Sequence, residues 1–476
     1  MHVLMLGWEF PPFITGGLGT ACYGLTRAMD RRGMNVTFVL PQSVAGEHAE
    51  HVDLISPDPT GAPEAIMHVR GRVSGRPSAT AGDAPPLPGR TIRRPGFRNV
   101  RFISVEAGFA HPYTSGDPGQ AVGTWVDTPG KSRRLVPGQP SEHTVIDEGE
   151  DYTTLSLPLP GGVEYGGDLL EQVERYANFC LHATRGLDFD VVHAHDWMTY
   201  PAGLWIARVT GRPLVVHVHS TEFDRSGEHV NQRVYDIERR GMHGAMRVIC
   251  VSALTKNVVV HRYGVPHHHV EVVYNGVQME SGGAGLVPIR SRDKIVLYFG
   301  RITFQKGPEY FIRAAKRVVE RMDNVKFVVA GSGDMAQHMI EMAANMGIGH
   351  KVLFTGFLRG DDIRKVFSLA DLYVMPSVSE PFGIAPLEAM SHDVPVLISK
   401  SSGVSEVLTH ALKTDFWDID DMANKIIAVL KHPPLSQTLQ QHGRFEVRRI
   451  SWDGAAERCE QVYRKVASEM PAAMSV

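Results

Sequence analysis

Two glutamates, Glu380 and Glu388, enclose seven residues in Ser379-Glu380-Pro381-Phe382-Gly383-Ile384-Ala385-Pro386-Leu387-Glu388, shortly after the apolar run Leu372-Tyr373-Val374-Met375. The pattern reads as a buried strand, a turn punctuated by Pro and Gly, and a helix carrying the second acid on its first turns. A helix start offers unpaired backbone N–H groups and a partial positive charge, which suits a phosphate. Carboxylates beside a bound phosphate would repel it, so these two are read as gripping hydroxyls. Together the groups fit a sugar nucleotide, its diphosphate held between two polyols. The plainer alternative is one acid at a helix start and one on a solvated surface.

Arg301 and Lys306, in Gly300-Arg301-Ile302-Thr303-Phe304-Gln305-Lys306-Gly307, follow another apolar run and precede a helix. Cations at a helix start oppose its dipole, a mismatch that a bound anion would resolve. They suit the negative charge that builds on a departing diphosphate, and can stabilise it without a metal. Gly16-Gly17-Leu18-Gly19 also opens a helix and lets the backbone approach a ligand closely, but lacks the spacing of a dinucleotide fingerprint. His195 and Asp196 end the strand Val191–His195 and are expected at its cleft-facing tip. His219, Glu222, Asp224 and Arg225 cluster after a neighbouring strand and, with Asp196, are acceptor-side candidates; a structural network is the alternative. His267-His268-His269 has no flanking acid or Cys and reads as solvated, so no metal site is assigned. Asp418 or Asp420 is expected to cap a helix around Met422–Leu430 rather than bind calcium.

The elements that position these residues repeat. A buried strand running into a glycine turn and an amphipathic helix occurs at Val3–Leu6 and again at Lys294–Phe299. Leu18, Cys22, Leu25 and Met29 share one face of the first helix; Tyr310, Ala314 and Val318 share one of the second. Short apolar runs alternate with helical stretches throughout, which predicts α/β architecture: two doubly wound, Rossmann-like parallel sheets facing across a cleft. The boundaries read as 1–282 for an acceptor-side domain, 286–450 for a nucleotide-sugar-binding domain, and 451–470 for a final helix. The small-residue stretch Ser281-Gly282-Gly283-Ala284-Gly285 is the linker, and the tail Met470–Val476 reads as frayed. Between Pro57 and Pro160 lie 15 of the 30 prolines, so about 57–165 is an insertion with some strand-forming pieces, placed on the acceptor side.

At 476 residues the chain exceeds what one core usually fills. A net charge of −3 gives no nucleic-acid footprint. Four scattered cysteines form no C-x-x-C pair and read as reduced thiols. With no signal-like start and no run near the ~20 apolar residues of a membrane span, the expected location is cytoplasmic, peripheral membrane contact being left open. Oligomeric state is not legible.

The ordered motifs resemble retaining glycosyltransferases of family 4 (glycosyl transferases group 1), close to the glycogen and starch synthase-like members. The resemblance spans nearly the whole chain through Gly7-Trp8-Glu9-Phe10-Pro11-Pro12, the glycine loop, His193-Ala194-His195-Asp196-Trp197, the Arg301–Lys306 segment and the Glu380–Glu388 segment. It implies a GT-B fold, a final helix crossing back to the first domain, and transfer with retention, needing no cofactor or catalytic metal. Glu380 would hold hydroxyls of the transferred sugar, Glu388 the ribose, and His195 the donor sugar. Arg301 and Lys306 would clamp the leaving diphosphate, while Gly16, Gly17, Gly19, Phe382, Gly383 and Ile384 wall the donor. Ile14 departs from the pattern, because glycogen and bacterial starch synthases usually carry Lys there; that weakens ADP-glucose and glucan in particular. The expected partners are a nucleotide-sugar donor and a carbohydrate acceptor, first a glucan receiving glucose. A cell-envelope glycan or glycolipid is the alternative acceptor, and an epimerase, a phosphorylase or a non-catalytic binder are the rivals.

Overall fold

A computed structural model describes residues 1–11, 16–41, 169–278 and 293–470, with four further strands between positions 64 and 158. The rest of the 57–165 stretch lies outside the described residues, as do Ile14, the Ser281–Gly285 linker and the tail beyond Met470. In chain order the strands are β1 (His2–Leu6), β2 (Asn35–Leu40), β3 (Glu64–Val69), β4 (Arg90–Ile92), β5 (Val100–Ser104), β6 (Thr153–Pro158), β7 (Val191–His195), β8 (Leu214–Val218), β9 (Arg247–Cys250) and β10 (Val270–Val272). A second series follows: β11 (Lys294–Phe299), β12 (Val325–Ala330), β13 (Val352–Gly356), β14 (Leu372–Met375), β15 (Val396–Ser399) and β16 (Leu412–Thr414).

The first sheet runs β10-β9-β8-β7-β1-β2-β5-β4 and the second β13-β12-β11-β14-β15-β16. All pairings within them are parallel except β4 with β5, and β3 pairs with β6 as a separate antiparallel ribbon. Parallel neighbours require crossovers, and the helices that make them cover both faces. That is why strands such as β7 (VVHAH) and β8 (LVVHV) are buried along their whole length. In each sheet the order reverses beside its first strand, β1 lying between β2 and β7 and β11 between β12 and β14. Crevices open at the carboxyl ends of strands where the order reverses. Glu9 follows β1, Asp196 follows β7, Arg301 follows β11 and Glu380 follows β14.

Helix Gly17–Arg31 buries Leu18, Cys22, Leu25 and Met29 against the first sheet. The last helix, Trp452–Glu469, also packs on this sheet although it follows the second in sequence. Its Asp453 meets Arg31 at 2.7 Å, Glu460 meets Arg32 at 2.8 Å and Glu469 meets Arg247 at 2.5 Å. The Trp452 indole lies so close to Gly24 that a Cβ there would come within 2.2 Å of the ring. Asp418 caps helix Ile419–Lys431 by accepting the Asp421 N–H at 3.0 Å. Among the described residues no helix is long and apolar enough to cross a membrane.

Candidate active site

The donor side is built by two turns locked together. After β11, Gly300 and Arg301 lead into a single 3-10 turn, Phe304–Lys306, closed by Gly307 at φ +63°. A Cβ on Gly307 would stand 2.1 Å from the Pro376 carbonyl oxygen, so only glycine lets this turn dock on the loop after β14. The docking brings Lys306 Nζ to 2.5 Å from Glu380 Oε2, which also accepts the Ser377 hydroxyl at 3.2 Å. Glu380 is 7% exposed, and its own N–H and C=O are tied to Ser401 and Gly403. Gly383, at φ +100°, then reverses the chain into the short helix Ala385–Ser391 that carries Glu388. Burial, with the Glu380 charge second, pushes the Tyr298 and Tyr373 hydroxyls up, so both stay neutral under this floor.

Two adjoining cavities occupy the cleft. One of about 270 Å³ runs from Gly16, Gly17 and Thr20 to Glu388, Phe357 and Leu358. The other, about 110 Å³, is walled by Glu9, Asp196, His219, Ser220, Asn275 and Gln305. Their common wall is Gly16, Gly17, Arg301, Lys306, Glu380, Gly383 and Ile384, with Phe382 on the smaller side. A Cβ on Gly16 or Gly17 would meet no atom within 4 Å, so that wall is bare backbone open to a ligand.

Asp196 turns the chain out of β7 at φ +59°, an uncommon conformation for a residue with a side chain. One carboxylate oxygen, Oδ1, accepts the N–H groups of His219 at 2.7 Å and Ser220 at 3.3 Å. Burial outweighs these bonds and raises its pKa to about 7. His195 does not reach the cavity as expected of a strand tip. It is 0% exposed and sits behind His219, its Nδ1 2.9 Å from His219 Nε2. The cause is register: β8 pairs His217 with His195, so His219 extends one step further and covers it.

His193 and His217 share that buried face, and the four imidazoles lie ring against ring at 4.2 to 5.3 Å. Desolvation depresses all four, His193 and His219 to about 3. His193 Nδ1 pairs with the Tyr463 hydroxyl at 2.5 Å, while the second nitrogens of His193 and His195 and both of His217 have no partner. His193, His195 and His217 bring nitrogens within 4.8 Å of one another, a spacing open to an ion. Their rings nevertheless stack, His193 on His217 at 8° and His195 on His217 at 28°, rather than pointing edges at one centre.

Of the other acceptor-side candidates, Glu222, Asp224 and Arg225 line neither cavity. Arg225 bonds Glu222 at 3.1 Å and Glu238 at 2.5 Å, and Tyr263 donates to Glu238 beneath them. This is a buried network that ties helix Glu222–Ser226 to Glu238 and Tyr263 on two other helices. Asp224 instead caps that helix through Thr221 and touches the opposite wall. Gly19 is buried inside its helix. Glu9, Asn275 and Gln305 escaped sequence reasoning as side chains, though Glu9, like Asp196 and Arg301, stands within three residues of a strand's carboxyl end.

Comparison with known proteins accounts for this arrangement. Residues 2–70 match the starch synthase catalytic domain model, 148–281 the Glycosyltransferase Family 4 model, and 287–445 the Glycosyl transferases group 1 model. An uncharacterized glycosyltransferase of Methanocaldococcus jannaschii is 34% identical over 305 residues, covering 60% of this chain and 77% of that one. Glycogen synthase of Mycobacterium tuberculosis is 24% identical over 471 residues, 97% of this chain and 94% of the relative. The catalytic domain of Arabidopsis thaliana starch synthase IV, solved with ADP and acarbose, superposes with a TM-score of 0.65 at 15% identity, covering 98% and 99% of the two chains. With its two facing doubly wound sheets in the GT-B arrangement, the chain belongs to glycosyltransferase family 4, the group 1 glycosyl transferases, a retaining family.

Proposed function

We propose that the protein transfers a sugar, first of all glucose, from a nucleotide diphosphate to a hydroxyl of a glucan or similar polysaccharide. The observation that carries this reading is the Lys306–Glu380 pair beside Arg301 on the wall common to both cavities. On this reading residues 286–450 hold the donor in the larger cavity and residues 1–282 present the acceptor in the smaller one, with 451–470 returning to the first domain. Glu388 takes the ribose and Glu380 the hydroxyls of the transferred sugar. Arg301 and Lys306 stabilise the charge that grows on the departing phosphate, so the chain itself supplies the cations and the reaction is metal-independent. The bare backbone of Gly16 and Gly17 faces the diphosphate. A hydroxyl attacks from the leaving-group side and passes its proton to a phosphate oxygen; Asp196 orients that hydroxyl. His195 acts at one remove, by holding His219 at the cavity wall. The glucan preference draws support from the glycogen synthase relative, which matches along almost the whole chain.

The test is nucleotide release from UDP-, ADP- and GDP-sugars, with and without glucan, repeated for Glu380→Ala and with a chelator present. Release from one donor that rises with glucan, survives the chelator and collapses in the variant is the expected result. Release indifferent to glucan would overturn the acceptor assignment and favour an envelope glycan or glycolipid. No release from any donor would overturn the transferase reading.

A further inference from the structure

Glu380 is gripped from across the cleft on both of its chain neighbours. Ser379 Oγ donates to Asp224 Oδ1 at 2.6 Å, and the Pro381 carbonyl accepts from Thr255 Oγ1 at 3.3 Å. Asp224 and Thr255 belong to the first sheet's side, following β8 and β9; Ser379 and Pro381 belong to the loop after β14. Neither grip is incidental to a mobile surface. Asp224 is 7% exposed, and its other oxygen is fixed by the Thr221 N–H and hydroxyl, both at 2.7 Å. Thr255 is 2% exposed and is held through Ser252 at 3.0 Å. A third tether lies alongside: Glu406 accepts the N–H groups of Ala253 and Leu254 at 2.9 and 2.7 Å, at the start of the helix that carries Thr255.

We propose that Asp224 and Thr255 are positioning residues of the transferase. By holding Ser379 and Pro381 from the opposite wall they set the Glu380 carboxylate against the reacting sugar. The inference rests on the transferase reading given above for its catalytic consequence, but not for its geometry. With the cleft open, the loop loses both grips, and Glu380 keeps only partners from its own domain: Lys306, Ser377, Ser401 and Gly403. A substrate that bridges the two walls favours the closed arrangement by its differential contacts, and only there is the loop around Glu380 held from both sides. This gives water little chance to reach a bound donor before the acceptor side is also formed.

Ser379→Ala removes one grip without disturbing the cap, because Asp224 Oδ2 remains on Thr221. Two measurements decide the matter. Amide hydrogen exchange of the full chain should become about tenfold faster within residues 377–383, the loss expected for one hydrogen bond to a charged group. Turnover in nucleotide release should fall about tenfold while the Kd of the free nucleoside diphosphate moves less than about twofold, and Ser379→Thr should restore most of the turnover. Unchanged exchange in the loop overturns the latch, whatever the activity. Unchanged turnover, an equal loss of nucleotide affinity, or failure of Ser379→Thr to rescue overturns its catalytic role. A wild-type protein that releases nucleotide from no donor sinks the transferase reading instead, and the exchange experiment then still decides whether the two walls hold the loop.

Discussion

Mild acid should destabilise the fold through imidazoles that cannot be protonated in place. His193, His195 and His217 are 0%, 0% and 2% exposed, and burial holds their pKa values well below the ordinary range. His219, depressed by the same desolvation, borders the smaller cavity and adds to the loss in the same sense. An imidazole depressed in the folded state contributes its full stability above the unfolded value of about 6.5 and loses it as pH falls. Between pH 7 and 5 three such groups remove about 6 kcal/mol. Asp196 works in the opposite direction: raised to about 7, it takes up a proton in the folded state first and returns about 2 kcal/mol. Glu238, also raised by burial, acts in the same sense as Asp196. Carboxylates held low by ion pairs, such as Glu271 and Glu460, lose their contribution only below this window. For the three imidazoles and Asp196 the net loss is between about 3 and 4 kcal/mol, a large part of a typical folding free energy of ~5–15 kcal/mol. Urea unfolding at half-unit steps from pH 7 to 5 should show a slope averaging a little over one proton and steepening toward about two at pH 5, and His217→Phe should lower the average by about 0.7 proton. Equal stability at pH 7 and 5, or an unchanged slope in His217→Phe, would refute the reasoning.

Three other outcomes follow from the same geometry. Lys306→Met should lower nucleotide-release turnover by about 100-fold, as for loss of one preorganised charge at a developing anion, with near-wild-type thermal stability as the control. Arg225→Met should cost about 3–5 kcal/mol in denaturant unfolding, because Glu222 and Glu238 are left buried without their cation. Gly24→Ala should cost about 1–3 kcal/mol, since the new methyl meets the Trp452 ring, and Trp452→Leu in the same chain should recover part of that loss.

Strands buried on both faces were the most legible elements. Runs such as Val191-Val192 and Leu214-Val215-Val216 carry branched apolar residues bounded by turn signals, and β7, β8, β11 and β14 lie where those runs stand. β16 was not legible, because Leu412-Lys413-Thr414 is three residues long and only Leu412 is apolar. The pairing of β3 with β6 joins segments some ninety positions apart, and nothing local encodes it. Arg301, Lys306 and Glu380 all lie on loops that leave the carboxyl ends of β11 and β14, so the strand ends bring them to one wall. Whether Glu222 and Arg225 face a ligand or a structural network was not legible, because Glu238, the partner of Arg225, and Tyr263, the partner of Glu238, come from other helices. The covering of His195 by His219 was not legible, because strand alternation gives the face of a side chain but not what the neighbouring strand lays over it.

The returning last helix has a consequence for how the chain is made. Arg31 and Asp453 stand 422 positions apart. At ~10 residues per second a ribosome needs roughly 40 s to bridge them. Throughout that interval the first domain lacks Trp452, Tyr463 and the counter-ions of Arg31 and Arg32, and the groove along helix Gly17–Arg31 stays bare. The domain that begins synthesis first is therefore among the last to be completed, and its apolar groove stays uncovered longer than its N-terminal position would indicate. Stalled chains released at residue 450 should bind a hydrophobic dye and sediment with chaperones, whereas chains released at residue 470 should not. Equal behaviour of the two would mean that the first domain closes its own groove without help from the final helix.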